Sequence, residues 1–200
     1  MAIDLGPDGL TLGSTTVSDW DDVGGTRVLL QSTDITSSTA SITIGSSIIT
    51  STYRIYHFVG TEFRHSIDNN HWDFQVSANN GSSFITSGYY NQVMAVTGGS
   101  VSVVINESNN SSATFAGHGN VGNATNETFH FHLKLFVPHS TDYYRLWETS
   151  CVGHKYDGNV IHSTGGGEIR NSSDAFNCVK IFNNSGGNFT DGTLKVYGEL

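Results

Sequence analysis

Residues 129–137 read FHFHLKLFV, and their alternation decides the fold class. Phe129, Phe131, Leu133, Leu135 and Val137 project one way; His130, His132, Lys134 and Phe136 project the other. This is the two-residue period of a strand with one buried face. The pattern recurs outward along the chain, in ASITI (40–44), YRIYHFV (53–59), VSVVI (101–105), YYRLWETSCV (143–152) and AFNCVKIFN (175–183). HWDFQVS (71–77) sets Trp72, Phe74 and Val76 against Asp73, Gln75 and Ser77. In TLKVYG (193–198), Leu194 and Val196 alternate with Lys195 and Tyr197, so a half-buried strand closes the chain. Asn80-Gly81 is the dipeptide of a tight type I′ turn, which needs positive φ at both central residues. HSTGGGEIR (162–170) reads as a glycine-rich surface loop, and NESNNSSAT (106–114) as a mobile polar connection. No stretch of ten or more residues shows helical spacing with caps. Short strands, each with one apolar face, predict an all-β, antiparallel β-sandwich, and a jelly roll is the preferred version.

Composition agrees. Charged residues are 14% of the 200, while 23 glycines and many Ser, Thr and Asn supply polar turns. The net charge of −9 argues against a nucleic-acid surface, which needs a basic stripe. No apolar run is long enough for a membrane span. The opening MAIDLGPDGL lacks a basic n-region and an apolar h-region, so no secretory signal is expected. The nine N-x-S/T triplets therefore read as composition. Cys151 and Cys178 are too few for a disulfide framework, and a single bridge between them stays open.

Residues 1–38 differ from the rest. They hold six of the eighteen acidic residues, one basic residue (Arg27), and no sustained periodicity among Leu10, Leu12, Val17 and Trp20. Two readings stand: irregular or disordered chain, or an extended N-terminal attachment arm that docks Trp20 on another subunit. The expected division is thus an acidic arm over 1–38 and a sandwich domain over 39–200.

No nucleophile elbow, phosphate loop or H-E-x-x-H helix occurs. Asp73, Glu127, Glu148 and Glu168 show no spacing that singles out a glycosidase pair. A non-enzymatic protein is expected, with no catalytic residues. His130 and His132, at i and i+2 on one strand, present both imidazoles to the same side. Three such pairs around a threefold axis would offer six nitrogens to a transition metal, and a plain solvent-facing strand is the other reading. His118 and His139 are read as turn residues at the surface. Sugar rings stack on aromatic faces, which makes Tyr89, Tyr90 and Trp147 the ligand-binding candidates. Consecutive tyrosines on a strand point oppositely, so one of Tyr89 and Tyr90 should face outward.

YRIYHFVGTEFRHSIDNNHWDFQVSANNGSSFITSGYYN (53–91) resembles a module common in virion proteins of tailed phages, especially marine ones. The shared pattern is an aromatic-rich strand, a loop ending in D-N, then F-Q-x-S-x-x-x-G-S-x-F and a tyrosine. FNNSGGNFTDGTLKVYGEL (182–200) is similar to the module's close, and LGPDGLTLGSTTVSDW (5–20) looks like the start of fibre and appendage proteins. Arg54, Arg64 and His65 depart from it, standing where an apolar, Pro-containing loop is usual. The resemblance spans about residues 40–200. It implies a virion structural protein assembled in the host cytoplasm: a tail fibre, spike or adhesin that contacts host glycans, or a capsid decoration or cement protein. A glycan depolymerase is the third class. The arm would contact other virion proteins, and a homo-oligomer is implied, a trimer by preference. Some phage short tail fibres resemble the chain in carrying an H-x-H metal site. Architecture and virion location are carried over, and no functional residue.

Overall fold

A computed structural model describes residues 3–6, 9–12, 15–17, 27–170 and 174–200. Three short strands, β1 (Ile3–Gly6), β2 (Gly9–Leu12) and β3 (Thr15–Val17), pair as an antiparallel meander. Twelve more follow: β4 (Arg27–Ile35), β5 (Ser41–Ile44), β6 (Ile55–His65), β7 (Asn70–Ser77), β8 (Tyr89–Thr97), β9 (Ser100–Asn110), β10 (Ala113–Val121), β11 (Phe129–Phe136), β12 (Arg145–His154), β13 (Val160–Ile169), β14 (Cys178–Asn183) and β15 (Phe189–Glu199). They make an eight-stranded sheet, β4-β15-β6-β11-β12-β13-β8-β9, and a four-stranded sheet, β10-β7-β14-β5, both antiparallel.

Two hairpins obscure a simple topology. Without β8–β9 and β12–β13, eight strands remain, and their chain order in the two sheets is 1-8-3-6 and 2-7-4-5. That is the jelly-roll order. The β12–β13 hairpin adds to the open edge of β11, and β13 then pairs with β8 of the other insertion. The first sheet is doubled in width, and β10 packs across the inner side of the added strands.

Alternation places the core. Trp72 is fully buried, with Phe129, Phe131 and Phe189 edge-on at 5.3, 5.9 and 5.4 Å between ring centroids. Phe74 meets Trp147 at 5.5 Å, beneath the added strands. Each such aromatic pair contributes about 1 kcal/mol beyond the area it buries. The closing strand β15 lies between β4 and β6, with Leu194 and Val196 fully buried.

Several expectations are corrected. Residues 27–35, assigned to the arm, form β4 of the sandwich, so the sandwich begins near Arg27 and not at residue 39. Their alternation is weak because β4 is an edge strand whose pairing to β15 slips between Val196 and Tyr197. Trp20 and the segment around it lie outside the described residues. Residues 106–110 continue β9, and His118 falls within β10. Val137 ends β11 at φ 39° and does not extend its inward row. Asn80 and Gly81 do adopt positive φ (55° and 84°), but the chain returns only as far as an Ile85 N–H to Val76 O bond (2.9 Å) before β8 joins the other sheet. The glycine run is not a loop: Gly165–Gly167 lie inside β13, paired on both sides. Both cysteines are buried free thiols, Cys151 in one sheet and Cys178 in the other.

Candidate functional site

Three consecutive glycines in a central strand leave the sheet bare at one point. Gly166 sits between Glu148 of β12 and Gln92 of β8, and Glu168 between Leu146 and Tyr90. A Cβ on Gly165, Gly166 or Gly167 would lie 2.4, 2.6 or 1.8 Å from the carbonyl oxygen of Gln92, Trp147 or Tyr90. The neighbouring backbones therefore close in on β13 where no side chain stands. Above this floor runs a groove of about 860 Å³ on the outer face of the widened sheet. That lies within the range usual for small-molecule sites, roughly 300–1,000 Å³.

The groove has two kinds of wall. Leu146, Met94 and Val103 give apolar surface; Gln92, Asn106, Glu107, Ser108 and Glu168 give amides, a hydroxyl and carboxylates. Tyr90 stands at one end with the Arg170 guanidinium 4.2 Å from its ring centroid, and Glu168 holds Arg170 in an ion pair. That pairing pushes the Arg170 pKa further up, so the group stays charged. Tyr144, largely exposed, lies 5.7 Å from the same guanidinium. Glu107 accepts from the side-chain amides of Asn91 (3.3 Å) and Asn110, which fixes the polar end. Apolar walls beside side-chain amides and carboxylates suit a polyhydroxylated ligand, whose C–H faces and hydroxyls need both.

Of the aromatic candidates, the structure brings only Tyr90 to this groove. Tyr89 is buried, its hydroxyl accepting from Val76 N–H (2.9 Å) and donating to Ile85 O (3.2 Å). Burial pushes its pKa well above the ordinary tyrosine value. Trp147 is 2% exposed and faces Phe74. Neither can stack a ligand: each faces inward on its strand, as the alternation of Tyr89 with Tyr90 requires. Tyr144, Gln92 and Arg170 were missed, because adjacency to a glycine floor is set by strand order and not by local pattern.

The carboxylates are dispersed. Asp73, on the outer face of β7, accepts from Ser112 Oγ (2.5 Å) and Asn184 Nδ2 (2.6 Å). Glu127 accepts from the Ala124 N–H (2.8 Å), and Glu148 pairs with Lys134 (2.6 Å). Of Asp73, Glu127, Glu148 and Glu168, only Glu168 lines the groove.

His130 and His132 share the outward side of β11, but each has a partner. His130 Nδ1 accepts from the Glu62 N–H (3.3 Å). His132 Nε2 lies 2.9 Å from His57 Nδ1, and His57 Nε2 lies 2.8 Å from Glu199 Oε2, which Arg27 also contacts at 3.1 Å. With Glu199 ionised, His57 donates from Nε2 and accepts from the His132 Nε2–H. Burial holds His57 below the ordinary histidine value and, with His57 beside it, takes His132 to about 4. Among the described residues no three His, Cys, Asp or Glu side chains converge on a point where a metal could sit. His139 is half-buried against the Tyr56 ring (5.9 Å) and is not a free surface residue. No helix among the described residues is long and apolar enough to cross a membrane.

Comparison with protein families, with characterised proteins and with solved structures returns no match for this chain.

Proposed function

We propose that this chain is a non-enzymatic structural protein of a tailed-phage particle, a tail-associated fibre, spike or adhesin that binds host-surface glycans. The observation that carries the reading is the groove over Gly165–Gly167, with Tyr90, Arg170 and side-chain amides beside apolar walls. The ligand is an oligosaccharide: its hydroxyls meet Gln92, Asn106 and the two carboxylates, and its C–H faces meet Leu146 and the aromatic end. The resemblance of residues 53–91 and 182–200 to phage virion modules supports the location. On this reading the acidic N-terminal segment, Trp20 included, contacts other virion proteins, and copies of the sandwich assemble so that weak sugar contacts add by avidity.

A second reading, capsid decoration or cement, is favoured by one observation. Met94, Val96, Val101 and Val103 form an exposed apolar block, which suits a protein partner better than a sugar. Labelling the protein in whole particles separates the two, since signal at the tail supports the adhesin and signal over the capsid faces supports cement. Release of reducing ends from host polysaccharide would instead make the chain a depolymerase.

A further inference from the structure

We infer that the outer face of the β8–β9 hairpin is where this chain meets a second copy of itself. The register makes a two-by-two block, Met94 opposite Val103 and Val96 opposite Val101. These four are 49%, 67%, 40% and 71% exposed, and Val152 and Val160 beside them are 45% and 59% exposed. Together they offer on the order of 500 Å² of apolar surface, near the upper limit for patches left uncovered on monomers. Two such faces bury roughly 1,000 Å², the lower bound for a stable contact.

Charge selects a copy over other partners. The chain carries −9, so two copies repel across most of their surface. Across β9, β8, β13 and β12 these two rows continue through Thr164 and Ser150 and through His162 and Val152, with no carboxylate, lysine or arginine among them. A symmetry axis through a patch sets each side chain near its own equivalent, so any charge there would face its like. Over these four strands two acidic copies can meet without that cost. The adjoining edge agrees. β9 closes one end of the eight-stranded sheet, and its segment Ser100–Ile105 carries no charged residue and no proline, the usual guards against pairing. The opposite edge, β4, carries Arg27 and Asp34.

Met94 and Val103 also stand in the groove wall, so the contact borders the proposed sugar site; the test therefore uses the full chain without sugar. Light-scattering mass during size exclusion should give a whole multiple of 21.5 kDa for the wild type. The Val101→Lys/Val103→Lys variant should run at the monomer mass and still unfold in one cooperative transition, since both positions are exposed within a single copy. Leu29→Lys, on the same sheet but beside β15, should keep the wild-type mass. If the lysine variant does not fold, Val101→Thr/Val103→Thr keeps side-chain shape and should weaken association at least tenfold. A wild-type chain that stays monomeric at its solubility limit overturns the inference. So does an oligomer that survives the folded lysine variant or associates as before in the threonine variant.

Discussion

Replacing Gly167 with alanine should destabilise the sandwich more than its chemistry suggests. The added Cβ would sit 1.8 Å from the Tyr90 carbonyl oxygen and 2.8 Å from Trp147 Nε1. A carbon tolerates a carbonyl oxygen at about 3.3 Å, so β13 and β8 must part by about 1.5 Å at that point. The oxygen belongs to backbone held in a ladder and cannot swing aside. Strands spaced roughly 4.8 Å apart lose about two hydrogen bonds on such a displacement, at about 1 kcal/mol each, and core overpacking against Trp147 adds about 1 kcal/mol more. The sum, about 3 kcal/mol, lowers the unfolding temperature of a chain this size by roughly 6–12 °C. Gly158→Ala is the control. It has φ +78° in the β12–β13 turn with nothing within 4 Å, so it meets only the left-handed backbone cost of about 1–2 kcal/mol. Thermal unfolding by circular dichroism reads both. If Gly167→Ala melts with the wild type, or no lower than Gly158→Ala, the close approach that builds the groove floor is refuted.

Deleting residues 193–200 removes most of β15 from between β4 and β6 and should leave no cooperative melt; a truncated chain that melts like the full one contradicts the register. Stability should fall as pH drops from about 6.5 towards about 4. His57, His65 and His132 are held below their ordinary value by burial, the last two at about 4, so the unfolded chain takes up protons first. Glu199, held down by His57 and Arg27, loses its contribution in the same direction. A melting temperature constant from pH 7 to 4.5, or a slope unaltered in His132→Gln, goes against this. Tyr56→Phe breaks two bonds to Thr50, from its N–H (2.7 Å) and to its carbonyl (2.6 Å), and should cost about 1–2 kcal/mol in chemical denaturation. Burial pushes the Cys151 thiol up to about 12, so it should react with thiol reagents only after unfolding; rapid labelling of the native protein would show that it is accessible.

Wherever a strand lies between a packed side and an open one, the fold could be read directly. FHFHLKLFV placed Phe129, Phe131, Leu133 and Leu135 in the core, and TLKVYG placed Leu194 and Val196 there. Where one face lacks a partner the signal fades. RVLLQSTDI, at a slipped edge, looked like arm, and SVSVVINESNN looked like a strand followed by loose chain. Gly165–Gly167 misled for a different reason: glycine usually marks turns, but here its missing Cβ lets three strands approach. The site was half legible. Period-two alternation set Tyr90 apart from Tyr89 and put Gln92 on the same face of β8, yet Arg170 meets Tyr90 only through the pairing of β13 with β8, two insertions about 70 residues apart in the chain, and Tyr144 comes in through Arg170 at the end of the β12–β13 pair. Local pattern carries no information on such a pairing.

The glycan reading rests on the groove, and titration of host surface oligosaccharides into the full chain and its Tyr90→Ala variant tests it most directly. The wild type should bind saturably without releasing reducing ends. Tyr90→Ala should lose at least tenfold in affinity while keeping its cooperative melt. Sugar that binds the variant as tightly as the wild type, or no binding by either, would contradict a ligand site above Gly165–Gly167.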